Sequence, residues 1–319
     1  MSAAQGWAER HQIAFYVVAI AAGLTLGWLI PSAPTLDVAI TPVLSVLLFV
    51  TFLGVPFGRI AEAFRDLRFL VTLLILNFAI VPLIVFVLSR FVATDAALLI
   101  GVLLVLLTPC VDYVIVFTGL AGGAQDKLLA AAPLLMLLQM LLLPVYLTAF
   151  AGQGMLGGID AAPFIEAFVF LIVVPLLLAA VTQWAARRTS WARGVERVGA
   201  ASMVPLMVLT LFVVVASQAA LVLGNVAALA AVLPIFAGFL VVMALVGIAV
   251  ARVAKLDVPS ARAVTFSGAT RNSLVVLPLA LALPAEFALA PAVVVAQTLI
   301  ELIGMVVYVR VIPKLIPAH

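Results

Sequence analysis

Leu107-Thr108-Pro109-Cys110-Val111-Asp112 and Gly268-Ala269-Thr270-Arg271-Asn272-Ser273 are the two stretches on which the reading of this chain turns. Each falls near the middle of a long apolar run and interrupts it with polar or helix-breaking residues. Pro109 has no N–H to donate, and its ring clashes with the preceding turn. A helix broken inside hydrocarbon frees backbone groups that lipid cannot satisfy, so the break must line protein or a watery cavity. Corresponding breaks in the two halves of a chain are a sequence pointer to a transport site. Half-helix N-termini near Asp112 and Ser273 would turn positive dipole ends toward the midplane, which suits an anion or a hydroxyl-rich solute.

The surroundings of the two breaks define the class. Of 319 residues, 67% are hydrophobic and 9% charged, against about 25% charged in a soluble domain. A span needs about 20 apolar residues, so roughly ten spans use the chain up. They are expected near residues 13–30, 38–53, 69–88, 97–120, 128–150, 163–183, 200–223, 226–250, 263–283 and 289–309. The break at Asn225 separates two of these runs, and without it the count would be nine. Charge decides between the counts, because short cytoplasmic loops hold an excess of Lys and Arg. Ten spans with both termini inside leave Arg90 outside and Arg271 within a span, whereas nine would put Arg252, Lys255, Arg262, Arg310 and Lys314 outside. The expected fold is therefore an all-α polytopic membrane protein of ten transmembrane helices. It forms two inverted five-helix repeats, residues 1–158 and 159–319, with broken fourth and ninth helices. Five is an odd number, so a second half that repeats the first enters the membrane from the opposite side.

The net charge of +3 follows from this topology and not from nucleic-acid binding, since bases and aromatics are not interleaved. The first apolar run reads as an uncleaved helix. A single cysteine excludes an internal disulfide and a cysteine-cluster metal site. No Ser/His, Cys/His or metal-ligand arrangement accompanies Asp112 or Cys110, so an intramembrane enzyme ranks last. The expected setting is the cell (inner) membrane, multi-pass, with a lipid bilayer and a small molecule or oxyanion as partners and no cofactor or metal.

The third run, Leu76-Asn77-Phe78-Ala79-Ile80-Val81-Pro82-Leu83, resembles the Asn-x-x-x-x-Pro-Leu helix of the bile acid/sodium symporter superfamily, in its arsenite-efflux permease branch. Pro109-Cys110 at the fourth-span break, Leu120-Ala121-Gly122-Gly123 after it, and Leu299-Ile300-Glu301 in the tenth span are similar to motifs of that branch. The resemblance implies a secondary transporter exporting arsenite or antimonite by proton coupling. The alternative is sodium-coupled symport of an organic anion. It further implies a core bundle of the third, fourth, fifth, eighth, ninth and tenth spans, with the first, second, sixth and seventh as a panel. The chain departs from the family at the ninth-span break. There the arsenite branch reads Asn-Asn-Phe-Glu, where this chain has Arg271-Asn272-Ser273-Leu274. The sodium-coupled branch has an acid and a glutamine in the region of Ser267 and Arg271.

Each candidate residue carries two readings. Cys110, Asn272 and Ser273 are the candidate substrate contacts. Cys110 is either a soft ligand for trivalent arsenic or antimony or a compact buried hydrophobe. Asp112, Arg271 and Glu301 are the candidate coupling or ion-pair residues, since intramembrane charges mark substrate or ion pathways. A buried Arg271 needs a partner, and Asp112 is the one expected if the two breaks cross. A cation there would stand where relatives bind sodium, leaving protons at Asp112 or Glu301 as the coupling ion. Asp112 alternatively complements a half-helix end, and Arg271 alternatively clamps helices. Asn77, Gln139 and Gln297 are supporting polar groups or simple helix connectors. Glu166 reads as helix-start chemistry after Pro163.

Overall fold

The structure, a computed structural model, describes residues 3–30, 37–54, 65–111, 113–152 and 169–318. Asp112 and Glu166 lie outside the described residues. Helices follow the apolar runs: α1 Ala3–Leu29, α2 Asp37–Gly54, α3 Leu67–Ile75, α4 Val81–Ser89, α5 Ala96–Leu106, α6 Tyr113–Leu120 and α7 Gln125–Ala151. They continue as α8 Val174–Ala186, α9 Ser190–Gly224, α10 Val226–Leu229, α11 Leu233–Val253, α12 Val258–Ala269, α13 Ser273–Leu281 and α14 Ala290–Leu315. Side-chain caps set several starts. Asp66 accepts from the Phe69 N–H at 3.0 Å, and Asp95 accepts from the Leu98 N–H at 3.0 Å. Asn225 ends α9 as its C-cap, which is the punctuation read between the seventh and eighth runs.

The distribution of polarity is that of a protein solvated by hydrocarbon. Trp28, Leu83, Phe91, Leu141, Val241 and Ile303 are exposed, while Asn77, Thr108, Gln139, Thr270, Arg271, Gln297 and Glu301 are buried. A water-soluble protein does not leave so much large apolar side chain outside. Among the described residues, five helical stretches are long and apolar enough to cross a membrane: Leu67–Val92, Gln125–Ala151, Ser190–Gly224, Val226–Val253 and Ala285–Leu315. Ala14–Leu29, Ala39–Gly54, Ala96–Leu106 and Val174–Ala186 are shorter apolar helices.

The chain divides into two compact units, each drawing on both of its halves. One comprises Met1–Gly54 and Asp160–Val226, the other Val55–Ile159 and Ala227–His319. These hold the segments that the family resemblance assigns to panel and core bundle. In the first unit, α1 lies close against α9. A Cβ built at Gly23 would come 3.0 Å from the Phe212 carbonyl oxygen, the small-residue contact by which helices approach in lipid. Gln183 of α8 donates to the Phe52 and Leu53 carbonyls at 3.1 and 3.0 Å, capping the end of α2. In the second unit, α5 meets α14 at Gly101, where a Cβ would sit 2.7 Å from Val293 Cβ. Likewise, α11 meets α12 at Gly247, where a Cβ would sit 2.8 Å from Thr265 Cα.

One interruption falls in the third run. Residues Leu76–Ile80 form a π turn between α3 and α4. Pro82 cannot donate to the carbonyl four residues back, which belongs to Phe78. The Tyr146 hydroxyl of α7 donates to that carbonyl instead, at 2.6 Å. Asn77 within the turn donates to the Leu73 carbonyl at 3.0 Å.

Candidate functional site

The two breaks meet inside the second unit. The chain leaves α5 at Leu107 and resumes as α6 at Tyr113, and it leaves α12 at Ala269 and resumes as α13 at Ser273. Between these ends the extended segments pair antiparallel at Pro109 and Arg271. The Cys110 N–H donates to the Thr270 carbonyl at 3.1 Å and the Asn272 N–H to the Thr108 carbonyl at 2.8 Å. Each break thus satisfies backbone groups that the other exposes, as an apolar surrounding requires. The Thr108 hydroxyl lies 3.1 Å from both the Leu104 and the Val105 carbonyls, and the Thr270 hydroxyl donates to the Phe266 carbonyl. Both threonines therefore close the last turns of the helices they follow.

The fully buried Arg271 side chain runs back toward the C-terminal ends of α5 and α12. Its Nη2 lies 2.9 Å from Asn77 Oδ1, 2.6 Å from the Ser267 carbonyl oxygen and 2.7 Å from that of Gly268. Nη1 lies 3.4 Å from the Leu106 carbonyl oxygen. The guanidinium carbon stands 5.5 Å from the Phe239 ring centroid, within cation–π range, while Nε has no partner among the described residues. Asn77 is oriented by its other end, since Nδ2 donates to Ser267 Oγ at 3.0 Å.

On the other side of the bridge lies the buried Glu301 of α14. Its Oε2 accepts from the Arg271 backbone N–H at 2.8 Å and from Gln297 Nε2, one turn earlier on the same helix. Its Oε1 lies 2.5 Å from the Tyr113 hydroxyl, which is also 3.1 Å from the Arg271 carbonyl oxygen. Asn272 Oδ1 caps α13 through the Val275 N–H at 3.4 Å, while its Nδ2 is buried with no acceptor among the described residues. Ser273 Oγ faces Tyr113 but makes no hydrogen bond of normal geometry among the described residues.

Of the residues singled out in the sequence, Cys110, Arg271 and Asn272 sit on the bridge. Ser273 adjoins it, and Asn77, Gln297 and Glu301 are tied to it by hydrogen bonds. Gln139 is buried on α7, but neither amide atom finds a hydrogen-bond partner among the described residues. The expected pairing of Arg271 with Asp112 falls outside the described residues. What sequence reasoning missed is Tyr113 and the carbonyls of Leu106, Ser267 and Gly268. Tyr113 had a usable signal, because a tyrosine one residue beyond a break in apolar sequence needs a partner for its hydroxyl.

A buried crossing of two interrupted helices, inside an all-helical chain with an apolar exterior, defines the class of multi-pass membrane carriers. The chain belongs to the Sodium Bile acid symporter family, whose pattern matches residues 41–225, more than half of its length. Members of this family are solute transporters and not enzymes. No curated protein matches the chain.

Proposed function

We propose that the protein is a proton-coupled secondary transporter exporting arsenite or antimonite. In this reading it crosses the inner membrane ten times as two inverted five-helix halves, residues 1–158 and 159–319, with both termini cytoplasmic. The observation that carries the reading is the donor Asn272 Nδ2, which has no acceptor among the described residues. It is buried at the N-terminus of α13, next in sequence to Ser273 and on the bridge that also holds Cys110. A buried amide without an acceptor costs about 1 to 3 kcal/mol, a cost that a solute oxygen bound there would offset. The positive helix end adds to the attraction for oxygen, and a soft sulfur nearby favours trivalent arsenic or antimony.

Glu301 is the coupling residue in this scheme. The Tyr113 hydroxyl has one hydrogen and two acceptors within reach, Glu301 Oε1 and the Arg271 carbonyl. A protonated Glu301 donates to Tyr113, whose own hydrogen then turns to the Arg271 carbonyl. Proton occupancy is thereby linked to the backbone of the bridge. The second reading is sodium-coupled symport of an organic anion: family membership suggests sodium coupling to a solute, and the same donors at α13 would serve a carboxylate.

The test is arsenite uptake into everted vesicles under a proton or a sodium gradient. Proton-driven accumulation reduced in Asn272→Ala and Cys110→Ser supports export. Accumulation of an organic anion under a sodium gradient alone, with no arsenite movement, replaces it by the second reading.

A further inference from the structure

The surroundings of the Arg271 guanidinium are those of a point cation and not those of a fork. Arginine normally meets its acceptors along the planar edge formed by Nε and both Nη atoms. Here three oxygens, from Asn77, Ser267 and Gly268, converge within 2.6–2.9 Å on Nη2 alone, an atom with only two hydrogens. Among the described residues, Nη1 reaches a single carbonyl at 3.4 Å, and Nε reaches none. All four oxygens are uncharged. Two of the carbonyls lie in the last turn of α12 and one ends α5, so two negative helix ends converge on the cation. Each such end carries roughly half an elementary charge. Carbonyls at half-helix C-termini are the arrangement by which interrupted membrane helices hold small cations. Asn77 Oδ1 is aimed into the same point because its Nδ2 is committed to Leu73 and Ser267. The π turn at Leu76–Ile80 carries that asparagine, and such turns recur at functional positions.

We propose that this oxygen cage is a monovalent-cation site which the chain fills with its own guanidinium. Removing the side chain then opens a site for a free cation, with guanidinium as the best-fitting occupant and sodium as a smaller one. In the parent the charge is covalently tethered, so this end of the crossing takes no exchangeable ion. The inference stands on the cage alone, and it requires neither the solute nor the proton scheme above.

The experiment uses purified full-length protein in detergent and reads the thermal unfolding midpoint. Chlorides of guanidinium, sodium and choline are compared at equal, low concentrations that do not denature the parent. Arg271→Ala is expected to melt below the parent and to recover by several degrees, saturably, with guanidinium, less with sodium and not with choline. The parent is expected to respond equally to all three. Equal responses of parent and variant to guanidinium, or no response of the variant, overturn the inference. Where the alanine variant cannot be recovered folded, the parent in sodium against choline chloride decides. A saturable, sodium-specific rise that Asn77→Ala abolishes places an exchangeable ion in the cage and overturns the inference. An unchanged midpoint, or a rise that survives Asn77→Ala, keeps such an ion out of the cage and supports it.

Discussion

Truncating Asn77 to alanine separates the cage from ordinary helix-to-helix polar contact, because one side chain makes both kinds of bond. Its Oδ1 accepts from a buried cation at 2.9 Å, and hydrogen bonds to charged groups contribute about 1.5 to 3 kcal/mol. Its Nδ2 donates across to Ser267 Oγ at 3.0 Å, a neutral interhelical bond worth about 0.6 kcal/mol on average in a membrane protein. Nη2 keeps the Ser267 and Gly268 carbonyls after the change, so no donor is wholly orphaned and no larger penalty is added. Asn77→Ala is therefore expected to cost about 2 to 3.5 kcal/mol. Ser267→Ala removes only the hydroxyl and leaves its carbonyl in the cage, so it should cost about 0.6 kcal/mol. In the double variant the two effects should fall short of additivity by about the value of their shared bond. Reversible unfolding by dodecyl sulfate in mixed micelles measures all three. The reasoning is refuted if the two single variants cost the same within about 0.5 kcal/mol, the ordinary scatter of such comparisons.

Three further outcomes follow from other parts of the molecule. Glu301→Gln keeps side-chain volume and an acceptor for Tyr113 but cannot exchange a proton. In reconstituted vesicles it should retain solute counterflow while losing accumulation driven by a proton gradient, and undiminished proton-driven accumulation would remove Glu301 from the scheme. Gly101→Ala puts a methyl 2.7 Å from Val293 Cβ and 3.2 Å from Ala290 Cα. Overpacking α5 against α14 in this way should cost about 1 to 3 kcal/mol, read as a lowered melting midpoint. Asp66 is held below the usual carboxylate value of 3.8, first by its bond from Lys127 at 2.6 Å and then by the Phe69 N–H. A depressed carboxylate contributes stability above its unfolded value and loses it as pH falls through the folded one. The stability gap between parent and Asp66→Asn should then be constant near neutrality and close below about pH 4. A gap that widens in acid would contradict the sign.

Which parts of this could be read from the sequence follows from what a side chain announces. Pro109 and Asn272 mark the breaks because each does something a helix interior cannot use, one by lacking a donor and the other by capping. The bridge between Pro109 and Arg271 follows from there, since two helices opened in apolar surroundings have few groups to turn to but each other. Asn77, Gln297 and Glu301 stood out as polar residues in apolar runs, and each proves to be tied to that bridge. Gln139 stood out by the same rule and has no hydrogen-bond partner among the described residues, because the rule detects polarity but not the face of the helix that carries it.

The environment of Arg271 shows where such reading ends. A buried cation in the sequence demands compensation, and the natural search is for a carboxylate of opposite charge, which led to Asp112. Asp112 lies outside the described residues, and the described guanidinium partners are three backbone carbonyls and one amide oxygen. Carbonyls carry no sequence signal, since every residue has one and a helix normally consumes it. What makes those of Leu106, Ser267 and Gly268 available is that α5 and α12 stop where they do. The breaks thus have two consequences of opposite sign. Where α5 and α12 end, carbonyls gather around a cation, and where α13 begins, buried Asn272 Nδ2 stands with no acceptor among the described residues. A single pair of interruptions supplies both poles, so a substitution that healed either helix would remove the cation cage and the donor end together. Pro109→Ala is the informative case, because it restores the missing donor while leaving every charged residue in place.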